Sequence, residues 1–120
     1  MENQKSALGL DGNITALIGY IIGLVALIEM FIEKDNKFVR FHAFQSVFFH
    51  VAFIAVYIVF AIFIGILSQV SSFFGLFGLL LIPLWLVWLG GMIYGAVKAY
   101  QGAWFKYPVI GNIAENMSGK

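Results

Sequence analysis

The stretch NKFVRFHAFQS, Asn36 to Ser46, places a lysine, an arginine, a histidine and a glutamine directly ahead of about twenty apolar residues. That juxtaposition reads as a membrane boundary. Lys37 and Arg40 suit anionic headgroups, each such cation contributing about 1 kcal/mol near the surface. Phe38, Phe41 and Phe44 anchor the same turns in the interfacial layer, which leaves His42 and Gln45 to contact the C-terminal tail or the last span. Phe38 to Leu67 as one helix reaches roughly 45 Å, more than the roughly 30 Å hydrocarbon core. Residues 38–45 are therefore expected at the interface as an amphipathic start, with the crossing itself over about 46–67.

The composition agrees with lipid as the solvent. Of 120 residues 62% are hydrophobic and 11% charged, where soluble domains carry about 25% charge. Thirteen phenylalanines and a mean hydropathy of +0.94 exceed what a core of this size hides from water. Two further apolar runs flank the central one. The first, about 13–33, opens at Asn13 as N-cap and continues ITALIGYIIGLVALIEMFI. The third covers about 73–99 and contains Pro83, a kink site. KDNK and SQVSS join them, and loops so short make successive helices antiparallel neighbours. The expectation is one domain over 1–120: an all-α integral membrane protein with three antiparallel transmembrane helices and a short C-terminal interfacial segment over 104–115. Tyr100, Trp104 and Tyr107 suit the headgroup layer there. The acidic, short N-terminal stretch does not read as a cleaved signal, so the first run stays as a helix.

Cations set the expected direction. Lys34, Lys37, Arg40, Lys98, Lys106 and Lys120 fall on one side of a three-span arrangement, and Lys5 alone on the other. This predicts an outside N-terminus and a cytoplasmic C-terminus.

Helix packing in lipid depends on close backbone approach. Each span carries a small pair four residues apart: Gly19 with Gly23, Ala61 with Gly65, Gly91 with Gly95. With Gly75 and Gly78 at the level of the first two pairs, tight contact is expected near the outer end. Polar groups gather in the inner half, where Glu29, His50 and Tyr94 share a depth and His42, Ser46 and His50 share a helix face. A Glu29–His50 hydrogen bond is expected, with Glu29 reaching to the cytoplasmic face as the alternative. Trp85 and Trp88, near mid-span, should point their indole N–H groups at acceptors in the bundle.

Several classes are disfavoured. Without cysteine there is no disulfide, thiolate metal site or cysteine nucleophile, and a net charge of +1 argues against nucleic acid. His42 and His50, roughly 12 Å apart along a helix, cannot share one metal ion. No nucleophile–base set, metalloprotease motif or phosphate loop is present, so neither enzyme chemistry nor a cofactor is expected. The partners expected are the lipid bilayer and further copies or other membrane proteins. The leading function is a structural or assembly element that self-associates. The alternative is a transport or protein-translocation component, in which His42, Gln45, Ser46 and His50 line a path between copies.

Two segments, EKDNKFVRFHAFQS at Glu33–Ser46 and YQGAWFKYPVIGNIAE at Tyr100–Glu115, carry a family resemblance. Together they resemble the small membrane family that includes the magnetosome proteins MamF and MmsF, itself similar to the Tic-twenty component of chloroplast import. The resemblance covers about Leu8 to Glu115. It implies a multi-pass helical protein of a prokaryotic cytoplasmic membrane, with some relatives connected to magnetite crystal growth and others to protein translocation. It marks Arg40, Phe41, His42, Gln45, Tyr100, Gly102, Pro108, Gly111 and Glu115 as family-pattern positions.

Overall fold

A computed structural model of the chain describes residues 4–119, which are helical or irregular apart from one isolated bridge between Lys5 and Asp11. The elements are α1 (Gly12–Ile21), α2 (Gly23–Ile32), α3 (Lys37–Val70), a 3-10 helix (Ser72–Leu80) that runs into α4 (Leu81–Tyr100), and α5 (Ile110–Ser118). Lys37–Val70 and Ser72–Tyr100 are long and apolar enough to cross a membrane. Leu24, Phe31 and Val70, each about two-thirds exposed or more, are typical of an apolar outer surface that suits lipid and not water.

The expected single helix over 13–33 is corrected. Ile22 takes an extended conformation between α1 and α2, and the chain folds back there. A Cβ on Gly19 would sit 3.4 Å from the Cβ of Ala26, and Glu29 shares a small void with Thr15 and Ala16. At the open end of this hairpin Ala7 N–H donates to Glu33 Oε1 at 2.7 Å. A continuous helix across those 26 residues would hold the two about 39 Å apart. Asn36 Nδ2 donates to the Gln4 carbonyl at 2.6 Å, fixing the N-terminal segment beside the α2–α3 loop.

α3 is one unbroken helix of 34 residues. Asn36 caps it, its side-chain oxygen accepting from Val39 N–H at 3.1 Å. Its first part is not an interfacial amphipath, which corrects the reading of 38–45. Phe38, Phe41 and His42 are at most 1% exposed because α1, α2, α5 and the segment after α4 enclose them. The headgroup anchors expected from the sequence are core residues. On the return limb, the change from 3-10 to α geometry falls at Leu81, two residues before Pro83. Proline lacks the N–H that would continue an α ladder back to Leu79, so the bend expected at Pro83 appears as a change of helix type ahead of it.

α1 packs against the last half of α4: Ala16 and Tyr20 meet Ala96 and Ala99, and Asn13 Nδ2 donates to the Tyr100 carbonyl at 2.9 Å. The hairpin base, the C-terminal end of α4 and α5 thus lie at one end of a molecule 56 Å long. Lys5, Lys34, Lys37, Arg40, Lys98 and Lys106 are all at that end; Lys120 lies outside the described residues. The cation that stood apart in the three-span count, Lys5, joins the rest.

Candidate functional site

A helix broken inside lipid frees carbonyls at its last turn, and each needs a donor. In an unbroken helix the Gly19 and Tyr20 carbonyls would accept from Gly23 and Leu24 N–H. Here α3 supplies the donors. Ser46 Oγ–H donates to Gly19 O at 2.8 Å, and His50 Nε2–H donates to Tyr20 O at 3.0 Å. Because a carbonyl only accepts, Nε2 of His50 carries the hydrogen, and Nδ1 accepts from Trp88 Nε1–H at 3.1 Å. Ser46 and His50, one turn apart, seal the hairpin tip. Gly23 makes the approach possible, since a Cβ there would lie 3.2 Å from the His50 ring.

The next polar pair up the same helix reads an extended strap. α4 ends in a Schellman turn: Gly102 is left-handed at φ +79°, with Ala103 N–H bonded to Lys98 O and Gly102 N–H to Ala99 O. The chain then runs extended from Ala103 to Tyr107 across α3. His42 Nε2–H donates to Ala103 O at 3.0 Å, Gln45 Nε2–H to Phe105 O at 3.3 Å, and Gln45 Oε1 accepts from Tyr107 N–H at 3.0 Å. Alternate strap residues present their backbone to successive positions on one helix face. Tyr20 closes the set. Its hydroxyl donates to His42 Nδ1 at 2.6 Å and accepts from Gln45 Nε2 at 2.8 Å. Tyr107 donates its hydroxyl to the Gly91 carbonyl at 2.5 Å, and burial, with Tyr94 nearby, pushes its phenol above the ordinary range. Every hydrogen-bonding atom of His42, Gln45 and His50 is therefore engaged within the chain. Both ring nitrogens of each imidazole are occupied by these bonds.

The other family-pattern residues complete this joint. Arg40 Nε donates to Ser118 O at 2.8 Å, and Nη1 to Met30 O and Glu33 O at 3.3 and 2.9 Å, so one cation serves the C-terminal ends of α5 and α2. Phe41 is fully buried against Ala114 of α5. Gly111 admits no side chain, because a Cβ would collide with the Lys106 Cβ, and Lys106 bridges to Glu115 at 2.9 Å. Pro108 precedes Val109, whose φ of +67° is strained for a β-branched residue and redirects the strap into α5. Tyr100 contributes its carbonyl to Asn13. Tyr20, Asn36 and Tyr107 were not singled out for these roles from sequence, since their partners are backbone atoms or lie far along the chain.

The small-residue pairs work at a different level from the one expected. Gly91 admits Phe49, whose ring carbons lie 2.8 and 3.0 Å from a would-be Cβ, and Gly95 admits Tyr20 at 2.8 Å. These contacts surround the hairpin, whereas a Cβ on Gly65 or Gly78 would meet nothing within 4 Å and one on Gly75 only Ser68 Cβ at 4.0 Å. Tight packing at the far end is thus corrected.

The Glu29–His50 hydrogen bond is also corrected: His50 sits at the hairpin tip and Glu29 near its base. Glu29 is 1% exposed, no N–H or O–H donor reaches either carboxyl oxygen among the described residues, and its carboxyl neighbour is that of Glu33. An ionised carboxylate without donors is costly to bury, so the pocket suits the neutral side chain. Tyr94, expected beside this pair, is half exposed and lies under the Lys98 ammonium, 5.6 Å from its ring centre.

Two tests follow from this geometry. His50→Leu leaves Tyr20 O and Trp88 N–H unpaired and is expected to destabilise the chain by about 2 kcal/mol in detergent unfolding; an unchanged midpoint would contradict the role of His50. Glu29→Gln keeps the shape without the charge and should hold or raise the unfolding midpoint. A loss beyond about 1 kcal/mol would mean that the carboxylate has a favourable partner.

The sequence matches the magnetosome magnetite crystal formation protein family over residues 5–114. Two UPF0132 membrane proteins of Methanocaldococcus jannaschii are similar. One is 38% identical over 115 residues, covering 95% of this chain and 94% of the relative; the other is 36% identical over 110 residues, covering 91% and 71%. A UPF0132 membrane protein of Archaeoglobus fulgidus is 34% identical over 108 residues, covering 89% and 95%. No solved structure matches.

Proposed function

The chain belongs to the magnetosome magnetite crystal formation protein family, and from that premise we propose that it is a non-enzymatic structural or assembly element of the cytoplasmic membrane. α3 and the 3-10/α4 limb cross the bilayer, while α1 and α2 enter one leaflet as a re-entrant hairpin. Both described ends face the cytoplasm. The charge distribution supports this orientation: six described cations occupy one end, and no Asp, Glu, Lys or Arg lies between Arg40 and Lys98.

The observation that carries the structural role is the use of the polar side chains. His42, Gln45, Ser46 and His50 bind backbone carbonyls and amides of the same chain, which is what a joint does and what a reaction centre or conduction path does not. Self-association is supported by Ala61 and Gly65, a small pair on α3, because a Cβ on Gly65 would meet nothing within 4 Å inside the chain and the surface there is open to a second helix. Native mass spectrometry from mild detergent, together with Ala61→Cys crosslinking in membranes, tests it. Dimers or larger assemblies crosslinked through position 61 are expected; a strictly monomeric particle with no crosslink would overturn the self-association.

A further inference from the structure

Resting on the re-entrant topology just proposed, we infer that the chain acts as a molecular wedge that favours membranes curved with the basic face outermost.

The hairpin reaches only part of the way along α3. Its tip, at Ile22 and Gly23, lies against His50. α3 continues for another 20 residues to Val70, about 30 Å further. At the far end the cross-section is α3 and the 3-10/α4 limb alone. At the basic end it is α1, α2, α3, α4, the strap and α5. A helix with its side chains is about 10–12 Å across, so each occupies on the order of 100 Å² of leaflet area. The hairpin therefore adds on the order of 200 Å² to one leaflet, with no counterpart in the other.

The surface chemistry makes that volume displace lipid. Between Gly12 and Ile32 the only ionisable carboxyl or cationic side chain is Glu29, and it is buried. The outward residues are Ile21, Leu24, Leu27, Ile28 and Phe31, 40–67% exposed. α5 adds area at the boundary of the same leaflet, burying Gly111 and Ala114 against α3 while exposing Ile113 and Met117. A bilayer bent so that this leaflet is the convex one provides the extra area at no packing cost; a flat or oppositely bent bilayer must compress lipid around the hairpin.

The test uses the full chain reconstituted into vesicles of anionic and zwitterionic phospholipid, sorted by diameter. Asn116→Cys, at an exposed position on α5, reports the basic face to a membrane-impermeant thiol reagent. The fraction labelled from outside, and the protein density per unit of membrane area, should both rise several-fold from the largest to the smallest vesicles. Density and orientation that do not change with diameter would overturn the wedge. A parallel Gln4→Cys variant separates this from failure of the topology. If Gln4 and Asn116 label from the same side and curvature has no effect, the wedge alone is wrong; if they label from opposite sides, the topology itself has failed and the wedge falls with it.

Discussion

Gln45→Leu is expected to lower the unfolding free energy by about 3 kcal/mol and to free the strap for proteolysis between Ala103 and Tyr107. The side chain is fully buried and makes three hydrogen bonds, to Tyr20 Oη, Phe105 O and Tyr107 N. Leucine fills similar space but leaves a buried carbonyl and an amide N–H unpaired, each costing about 1–3 kcal/mol when no water replaces the partner. Hydrogen bonds measured inside membranes average less, about 0.6 kcal/mol, because the unfolded chain in lipid finds other partners. The strap is a segment crossing a buried helix face, so the larger figure applies here. Thermal unfolding in detergent with limited proteolysis measures both effects. A variant as stable and as protease-resistant as the parent would show that the strap is held by its aromatic rings alone, through Phe105 and Tyr107 against Tyr20.

Gly95→Val should be as damaging by the opposite route. A Cβ at Gly95 lies 2.8 Å from Tyr20 Cδ1 and collides with the Tyr107 hydroxyl, so α1 and the strap must both move. Overpacking of this kind costs about 1–3 kcal/mol, and displacing Tyr107 adds the loss of its bond to Gly91 O. The sum is about 3–4 kcal/mol. Gly90→Val is the matched control on the same helix: a Cβ at this exposed position would meet nothing within 4 Å, and a surface change of that kind stays within about 0.5 kcal/mol. Equal stability of the two variants would show that α1 does not pack on α4 at Gly95.

Particular residues show how far sequence reasoning reaches. The membrane class, the helical class and the boundary near Asn36 follow from apolar runs and flanking cations, because lipid leaves few ways to satisfy a backbone. The polar face of α3 was legible as well, since His42, Ser46 and His50 recur every fourth residue. What they bind was not legible. Their partners are backbone carbonyls of a helix break and an extended strap, and backbone atoms carry no sequence signature. The break itself, at Ile22, uses neither proline nor a polar residue, and the flanking Gly19 and Gly23 fit a packed single span equally well. One trace was present in the charges. Lys5, the lone cation on the expected outer side, rejoins the others once the first apolar run turns back. Glu29 was misplaced for the same reason, since depth counted along a continuous helix assigns it to His50, while a folded hairpin carries it back toward the base.

The fold-back at Ile22 decides the topology, and the absence of cysteine from the sequence makes it directly measurable. Single cysteines at Gln4, Ser72 and Asn116, all exposed positions, are to be labelled with an impermeant thiol reagent in sealed, oriented membrane vesicles. The proposed topology predicts that Gln4 and Asn116 react from the cytoplasmic side and Ser72 from the opposite side. Gln4 reacting together with Ser72, opposite Asn116, would mean that residues 13–33 cross the membrane as one helix and would contradict the re-entrant hairpin.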